Sequence, residues 1–155
     1  MSTAVDVNAY YRQITDTDIG AIARELLGGR ITQESGNTLF CDCPNHQSQS
    51  KKSLHISLDS QKWYCFGCSV GGDVLQLVEF VQSGTITRGQ SGRMPESHRA
   101  ARDFLAARAL MPPLGRAGQT PEELAAAEEA HREAVRIREV LTATAEYYHQ
   151  ALVAN

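Results

Sequence analysis

The sequence predicts an α+β protein: a small antiparallel sheet with metal ligands at its end, flanking helices, and a helical C-terminal extension. Three observations carry that expectation. Two ligand pairs, Cys43-Pro44-Asn45-His46 and Cys65-Phe66-Gly67-Cys68, stand eighteen residues apart, each with a two-residue gap. Between them Leu54, Ile56 and Leu58 alternate with His55 and Ser57, the period of a half-buried strand. Beyond Thr120 the chain is rich in Ala and Glu, with Ala134, Ile137, Leu141, Ala145, Tyr148 and Leu152 at helical spacing.

A chain of 155 residues fits one domain, or a small domain with a helical extension. Aromatics are only 6%, so the core is expected to be small. The net charge of −3 does not by itself point to nucleic acid, but it is unevenly spread. Residues 84–118 hold six Arg against Glu96 and Asp103, a net of +4, and residues 119–155 hold seven Glu against three Arg, a net of −4. No apolar run approaches the ~20 residues that span a membrane, and Met1–Thr15 lacks a signal-peptide pattern. The chain is therefore expected in the cytoplasm, away from membranes, where thiols stay reduced. That argues against pairing the four cysteines as disulfides.

Taken in order, the chain opens with a short segment around Ala9-Tyr10-Tyr11. A helix capped by Asp16 or Thr17 follows, with Ile19, Ile22, Ala23, Leu26 and Leu27 on one face. Gly28-Gly29 is expected to end it in the left-handed conformation. From Arg30 to Cys68 short strands take over: Asn37–Phe40, then Ser53–Leu58, a turn at Asp59-Ser60-Gln61, and Lys62–Cys65. Gly71-Gly72 breaks the chain, and Asp73 with Gln76 forms a capping box ahead of an apolar helix. Residues 83–93 read as a loop or linker. Pro95 suits the first turn of a helix over 95–110, with Ala101, Phe104, Leu105 and Ala107 buried. Met111–Gln119 is a Pro/Gly break. Thr120-Pro121-Glu122-Glu123 then starts a long helix whose narrow apolar stripe requires a partner surface.

Cys43, His46, Cys65 and Cys68 make a tetrahedral N/S donor set suited to one zinc ion, at the end of a zinc-ribbon-like sheet. Four protein ligands leave no position for a reactive water, so the metal is expected to be structural. Pro44 stiffens the first knuckle, and Gly67 lets the second turn tightly so that backbone amides face sulfur. Cys41 points to the same strand face as Cys43 and competes with His46 as a ligand; the two-residue gap favours His46 and leaves Cys41 as a buried small apolar residue.

The order Cys-Pro-Asn-His, strand Leu54–Ser57, Trp63-Tyr64-Cys65-Phe66-Gly67-Cys68, Gly71-Gly72-Asp73-Val74 and Phe80-Val81 resembles the zinc-binding domain of DnaG-type bacterial and phage DNA primases, over residues 18–82. The run from Arg138 to Leu152 is similar, more weakly, to the helix that opens the primase polymerase core. The resemblance implies a domain that holds single-stranded template DNA. It also implies partners: a polymerase core, where Mg²⁺ supports ribonucleotide joining, and a replicative helicase. No acidic cluster of such a core precedes Asn155, so these residues alone are not expected to polymerise.

A single-strand surface needs cations for phosphates and flat rings for bases. Lys51, Lys52 and Lys62 supply the first, and His55, Tyr64 and Phe66 the second. Strand alternation separates Trp63 from Tyr64; burial tendency assigns Trp63 to the core, and the resemblance, in which the aromatic aligned with Trp63 is a core residue, implies Tyr64 as the ring for DNA. Lys51 and Lys52 also fit a solvated loop. Arg88, Arg93, Arg99 and Arg102 would extend a basic path, whereas His98, His131 and His149 read as surface residues. The organisation expected is a zinc-binding domain over 1–83, a linker with one helix over 84–119, and a long helix over 120–155 that opens a polymerase core. The competing readings are a stand-alone, non-catalytic zinc adaptor and a nucleic-acid-binding regulator from a mobile element.

Overall fold

The structure is a computed structural model that describes residues 6–89, 94–114 and 120–153. The chain forms two compact units, Met1–Leu105 and Ala106–Asn155. The first begins with a helix the sequence reading missed: α1, Val7–Thr15, is capped by Asp6, whose carboxylate accepts from the amides of Asn8 and Ala9. Helix α2, Ile19–Leu27, is capped by Asp18 rather than by Asp16 or Thr17. The reason lies in the turn at Asp59-Ser60-Gln61. The Gln61 side chain accepts from the Ile19 amide at 2.8 Å and donates to Asp18 at 3.1 Å, which fixes where the helix starts. Gly28 does not turn left-handed; with φ −40° it continues into a 3₁₀ turn, Gly28–Arg30.

Five strands follow as a meander: β1 Ile31–Ser35, β2 Thr38–Cys41, β3 Leu54–Ser57, β4 Lys62–Cys65 and β5 Val70–Gly72. All neighbours are antiparallel and the spatial order is the chain order. The two outer strands depart from expectation. β1 is mostly exposed and lacks the alternation that marks a half-buried strand. In β5, Gly71 and Gly72 extend the sheet rather than break it. A Cβ on Gly71 would lie 2.4 Å from the Trp63 carbonyl, and one on Gly72 would strike the Gln76 side chain. Glycine is needed there for close approach, not for a turn.

Alternation sorts the two faces of the sheet. Leu39, Cys41, Leu54, Ile56, Trp63 and Cys65 are buried on the inner face, where α2 and helix α3, Val74–Ser83, pack. The capping box forms as expected: Asp73 accepts from Leu75 and Gln76, and Gln76 reaches back to the Asp73 amide. The Trp63 indole donates to the Asp73 carbonyl at 2.9 Å, and its ring lies 4.8 Å from that of Phe80. Helix α3 ends at Gly84, which is left-handed at φ 75°.

Glu79 sits fully buried inside this apolar helix. Its carboxylate accepts from the Thr87 amide and hydroxyl and from the Ser97 hydroxyl, with the His98 ring 3.6 Å away. Burial pushes this carboxyl up, but the hydrogen bonds from Thr87 and Ser97, with the His98 ring nearby, outweigh it and hold it below the ordinary range. The segment after α3 is thus fastened at Thr87, while residues 90–93, Arg93 included, lie outside the described residues. Helix α4, Glu96–Arg108, buries Ala101, Leu105 and Ala106; Phe104 is half-buried and Ala107 exposed. It also buries His98 and Arg102. His98 is therefore no surface residue: it bonds the Tyr11 hydroxyl at 3.2 Å and stacks on that ring. Arg102 pairs with Asp103 at 2.7 Å, and Arg99 pairs with Glu96. Neither prolongs a free basic path.

The second unit is dominated by α5, Pro121–Val153, 33 residues long and so about 50 Å. Thr120 and Glu123 exchange the two hydrogen bonds of a capping box. Ile137, Leu141, Tyr148 and Leu152 are all exposed along the helix. Among the described residues no helix is long and apolar enough to cross a membrane.

Candidate metal centre and the open sheet face

Cys43 and His46 follow β2, Cys65 ends β4, and Cys68 lies in the β4–β5 turn. The sheet pairing brings these segments to one end, and the ligand atoms of all four residues lie within 4.8 Å of one another. The Cys43 and Cys68 sulfurs are 3.9 Å apart, and His46 Nδ1 lies 3.1 Å from the Cys68 sulfur and 3.7 Å from that of Cys65. Donors about 2.0–2.3 Å from a common centre in a tetrahedron are separated by roughly 3.3–3.8 Å. Three thiols and one imidazole at these spacings therefore suit zinc, with coordination closed. Cys41, buried on β2, is outside the cluster.

Local chemistry holds the ligands in place. The Asn45 amide donates to the Cys43 sulfur at 3.4 Å, and the Asn45 side chain donates to the Phe80 carbonyl of α3 at 2.8 Å. The first knuckle is thereby tied to the last turn of that helix. Gly67 has a role the sequence reading did not foresee. Its φ is not left-handed; instead the His46 ring lies directly on it, and a Cβ there would sit 2.1 Å from His46 Nε2. The missing side chain leaves room for the ring that aims Nδ1 at the sulfurs.

Burial pushes the Cys68 thiol up to about 12, with the neighbouring Cys65 and Cys43 thiols adding to it. It raises Cys43 as well. Burial alone takes Cys41 to about 11. Thiolate is the ligating form, so a cation enters this cluster by displacing protons. Cys41 has no such exchange available and remains a core thiol.

On the opposite, outer face two cross-strand rows form. In the first, Phe40, His55, Tyr64 and Gly71 are paired in register, and in the second Thr38, Ser57 and Lys62. His55 meets Phe40 at 4.7 Å and Phe66 at 4.8 Å, and Phe66 meets Tyr64 at 5.0 Å, all edge to face. Tyr64 is 42% and Phe66 63% exposed, while Trp63 is 3% exposed. Gly71 leaves the Tyr64 ring its space, since a Cβ there would come within 2.7 Å of it. The fold thus gathers His55, Lys62, Tyr64 and Phe66. It puts the other two lysines elsewhere. Lys51 lines a hollow of about 590 Å³ beside the knuckle with Arg30, Asp42 and His46, and Lys52 donates to Gln33 of β1. Phe40 and Arg30 were missed by sequence reasoning. The alternation of Leu39 and Phe40 was the available signal for Phe40; Arg30 offered none.

Comparison with known proteins agrees with this geometry. Residues 13–87 match the model of the CHC2 zinc finger, the zinc ribbon of DnaG. The solved structure of the Aquifex aeolicus primase, zinc-binding and RNA polymerase domains, superposes with a TM-score of 0.52 at 24% identity. That match covers 74% of this chain and 24% of the Aquifex chain, so the present chain spans about a quarter of that protein. No curated protein matches. Over residues 13–87, just under half of the chain, the protein is thus similar to the CHC2 zinc finger of DnaG, and its Cys43, His46, Cys65 and Cys68 are positioned to bind one zinc ion.

Proposed function

We propose that this zinc finger is a single-stranded DNA (template) binding module serving a DNA primase in DNA replication. One observation carries the proposal: the sheet face opposite the core displays His55, Tyr64 and Phe66 as a cluster of partly exposed rings with Lys62 beside them. Phe is ordinarily buried, and an open ring cluster next to a cation is the arrangement that stacks unpaired bases while holding phosphate. The metal's part is structural: it fixes the end of the sheet from which Phe66 projects. On this reading primer synthesis takes place in a polymerase core with Mg²⁺, a replicative helicase is the further partner within a primosome, and the setting is cytoplasmic. Residues 120–155 would then open the polymerase core.

The test is a fluorescence-anisotropy titration of a labelled single strand with zinc-loaded protein. Tyr64→Ala and Lys62→Ala are each expected to weaken binding about tenfold, by loss of one stacked base or one phosphate contact, with zinc content unchanged. Unaltered affinity in both variants would place the DNA surface elsewhere. A second reading, a zinc adaptor that contacts proteins, draws on the exposed apolar stripe of α5.

A further inference from the structure

Helix α4 and most of α1 lie outside residues 13–87, which match the CHC2 zinc finger. The two helices meet all the same. The Tyr11 hydroxyl and His98 Nε2 are 3.2 Å apart across 87 positions of sequence, and the two rings stack at 5.8 Å. The other ring nitrogen, His98 Nδ1, faces Glu79 of α3 at 3.6 Å. One buried carboxylate thus gathers Thr87 after α3 and Ser97 and His98 at the start of α4, and reaches Tyr11 of α1 through His98.

The links of this chain differ in strength. The Thr87 hydroxyl and amide and the Ser97 hydroxyl donate to Glu79 at 2.6, 2.8 and 2.7 Å, and bonds to a carboxylate are the stronger kind. The step from Glu79 to His98 is too long for a hydrogen bond. His98 Nδ1 is buried with no partner among the described residues, and an unsatisfied buried nitrogen costs free energy. Apolar anchoring is thin as well. Helix α4 buries Ala101, Leu105 and Ala106, and α1 buries Tyr10 and Ile14, whereas α3 is apolar along most of its length. Few buried apolar contacts mark a segment that opens below the free energy of global unfolding.

We infer that α1 and residues 96–105 of α4 form a clasp, locked through Glu79, His98 and Tyr11, that opens and closes as one unit while the metal-bound sheet stays folded. Closed, the clasp makes α4 part of the body that carries the metal centre. Open, it turns residues 85–105 into tether ahead of Pro121–Val153. A flexible run of about 20 residues spans about 25 Å, so the state of the clasp sets the reach of the sheet that it holds. The inference stands on contacts among α1, α3 and α4 and is independent of the single-strand reading.

The experiment is amide hydrogen exchange of the zinc-loaded full chain at pH 7, followed peptide by peptide in a mass spectrometer. Ser97→Ala is the decisive variant, because the Ser97 hydroxyl bonds Glu79 and not Tyr11. Exchange is expected to quicken about tenfold in 7–15 and in 96–105, by the same factor, for loss of one bond to a charged group. Strands β2 to β4 should be unchanged, with zinc at one ion per chain. Tyr11→Phe keeps the stacked ring and removes only the hydroxyl. It should quicken the same two segments together, by about fivefold. Acceleration confined to α4 in Ser97→Ala, or to α1 in Tyr11→Phe, would mean two helices that fray separately and would overturn the clasp. Equal acceleration of the strands would make the event global unfolding and overturn it too. Unchanged exchange in both variants would remove Glu79, His98 and Tyr11 as the lock.

Discussion

Trp63 is 3% exposed and Tyr64 is 42% exposed, although they are adjacent on β4. The first faces α3, with its indole bonded to the Asp73 carbonyl and its ring beside Phe80. The second faces outward, against Phe66 and near Lys62. The same contrast holds for Leu39 and Phe40 on β2 and for Leu54 and His55 on β3. The inner face is closed by helices and the outer face is left with partly exposed rings. The difference teaches that one strand period can separate what folds the domain from what is available to a ligand. Substitutions on the two faces should then change different observables.

The largest effect is expected at Cys65, which belongs to both the inner face and the metal cluster. Structural zinc contributes on the order of 10 kcal/mol to the folding of zinc-finger peptides. Cys65→Ser should abolish stoichiometric zinc and unfold the sheet, seen by elemental analysis and near-ultraviolet circular dichroism. A cooperatively folded, zinc-free variant would show that the apolar face suffices without metal. Trp63→Ala comes next, with an expected loss of about 3–5 kcal/mol in denaturant unfolding; a loss below 1 kcal/mol would break the division between faces.

Glu79→Gln is expected to cost about 1–3 kcal/mol, since it removes a charged acceptor from buried donors. This effect depends on pH. The folded-state carboxyl lies below the ordinary value of 4.5, so its stabilisation is fully present above about pH 4.5 and fades as the pH falls through the lower folded-state value. Wild type and Glu79→Gln should therefore converge in acid, and a gap that persists to pH 2 would mean the loss is one of shape rather than charge. Tyr64→Ala should change stability least, within about 0.5 kcal/mol, while still weakening single-strand binding. A large loss of stability there would make the outer rings part of the core.

Much of the domain was legible in local sequence. The ligand set, the alternation of Ser53–Leu58 and the capping boxes at Asp73 and Thr120 are all written in residues a few positions apart. The parts that escaped depend on distant partners. Asp18 became the cap through Gln61, more than forty residues away, and Glu79 is satisfied by Thr87, Ser97 and His98. Gly71 and Gly72 carry low strand propensity, and their place in β5 follows from close approach to Trp63 and Gln76. Likewise the need for Gly67 lies in the ring of His46, which belongs to the other ligand pair. Lys51 and Lys52 follow one another in sequence, yet one lines the hollow by the knuckle and the other reaches β1.

The side chain of Asn45, next to His46, holds the Phe80 carbonyl, and Phe80 lies beside the chain's single tryptophan, Trp63. Loosening of the knuckle is therefore felt two contacts away, at an indole with one defined set of neighbours. The molecule carries its own optical gauge: a red shift of the intrinsic emission would register a solvated indole and follow metal release in real time, with no dye attached and no competing tryptophan to subtract.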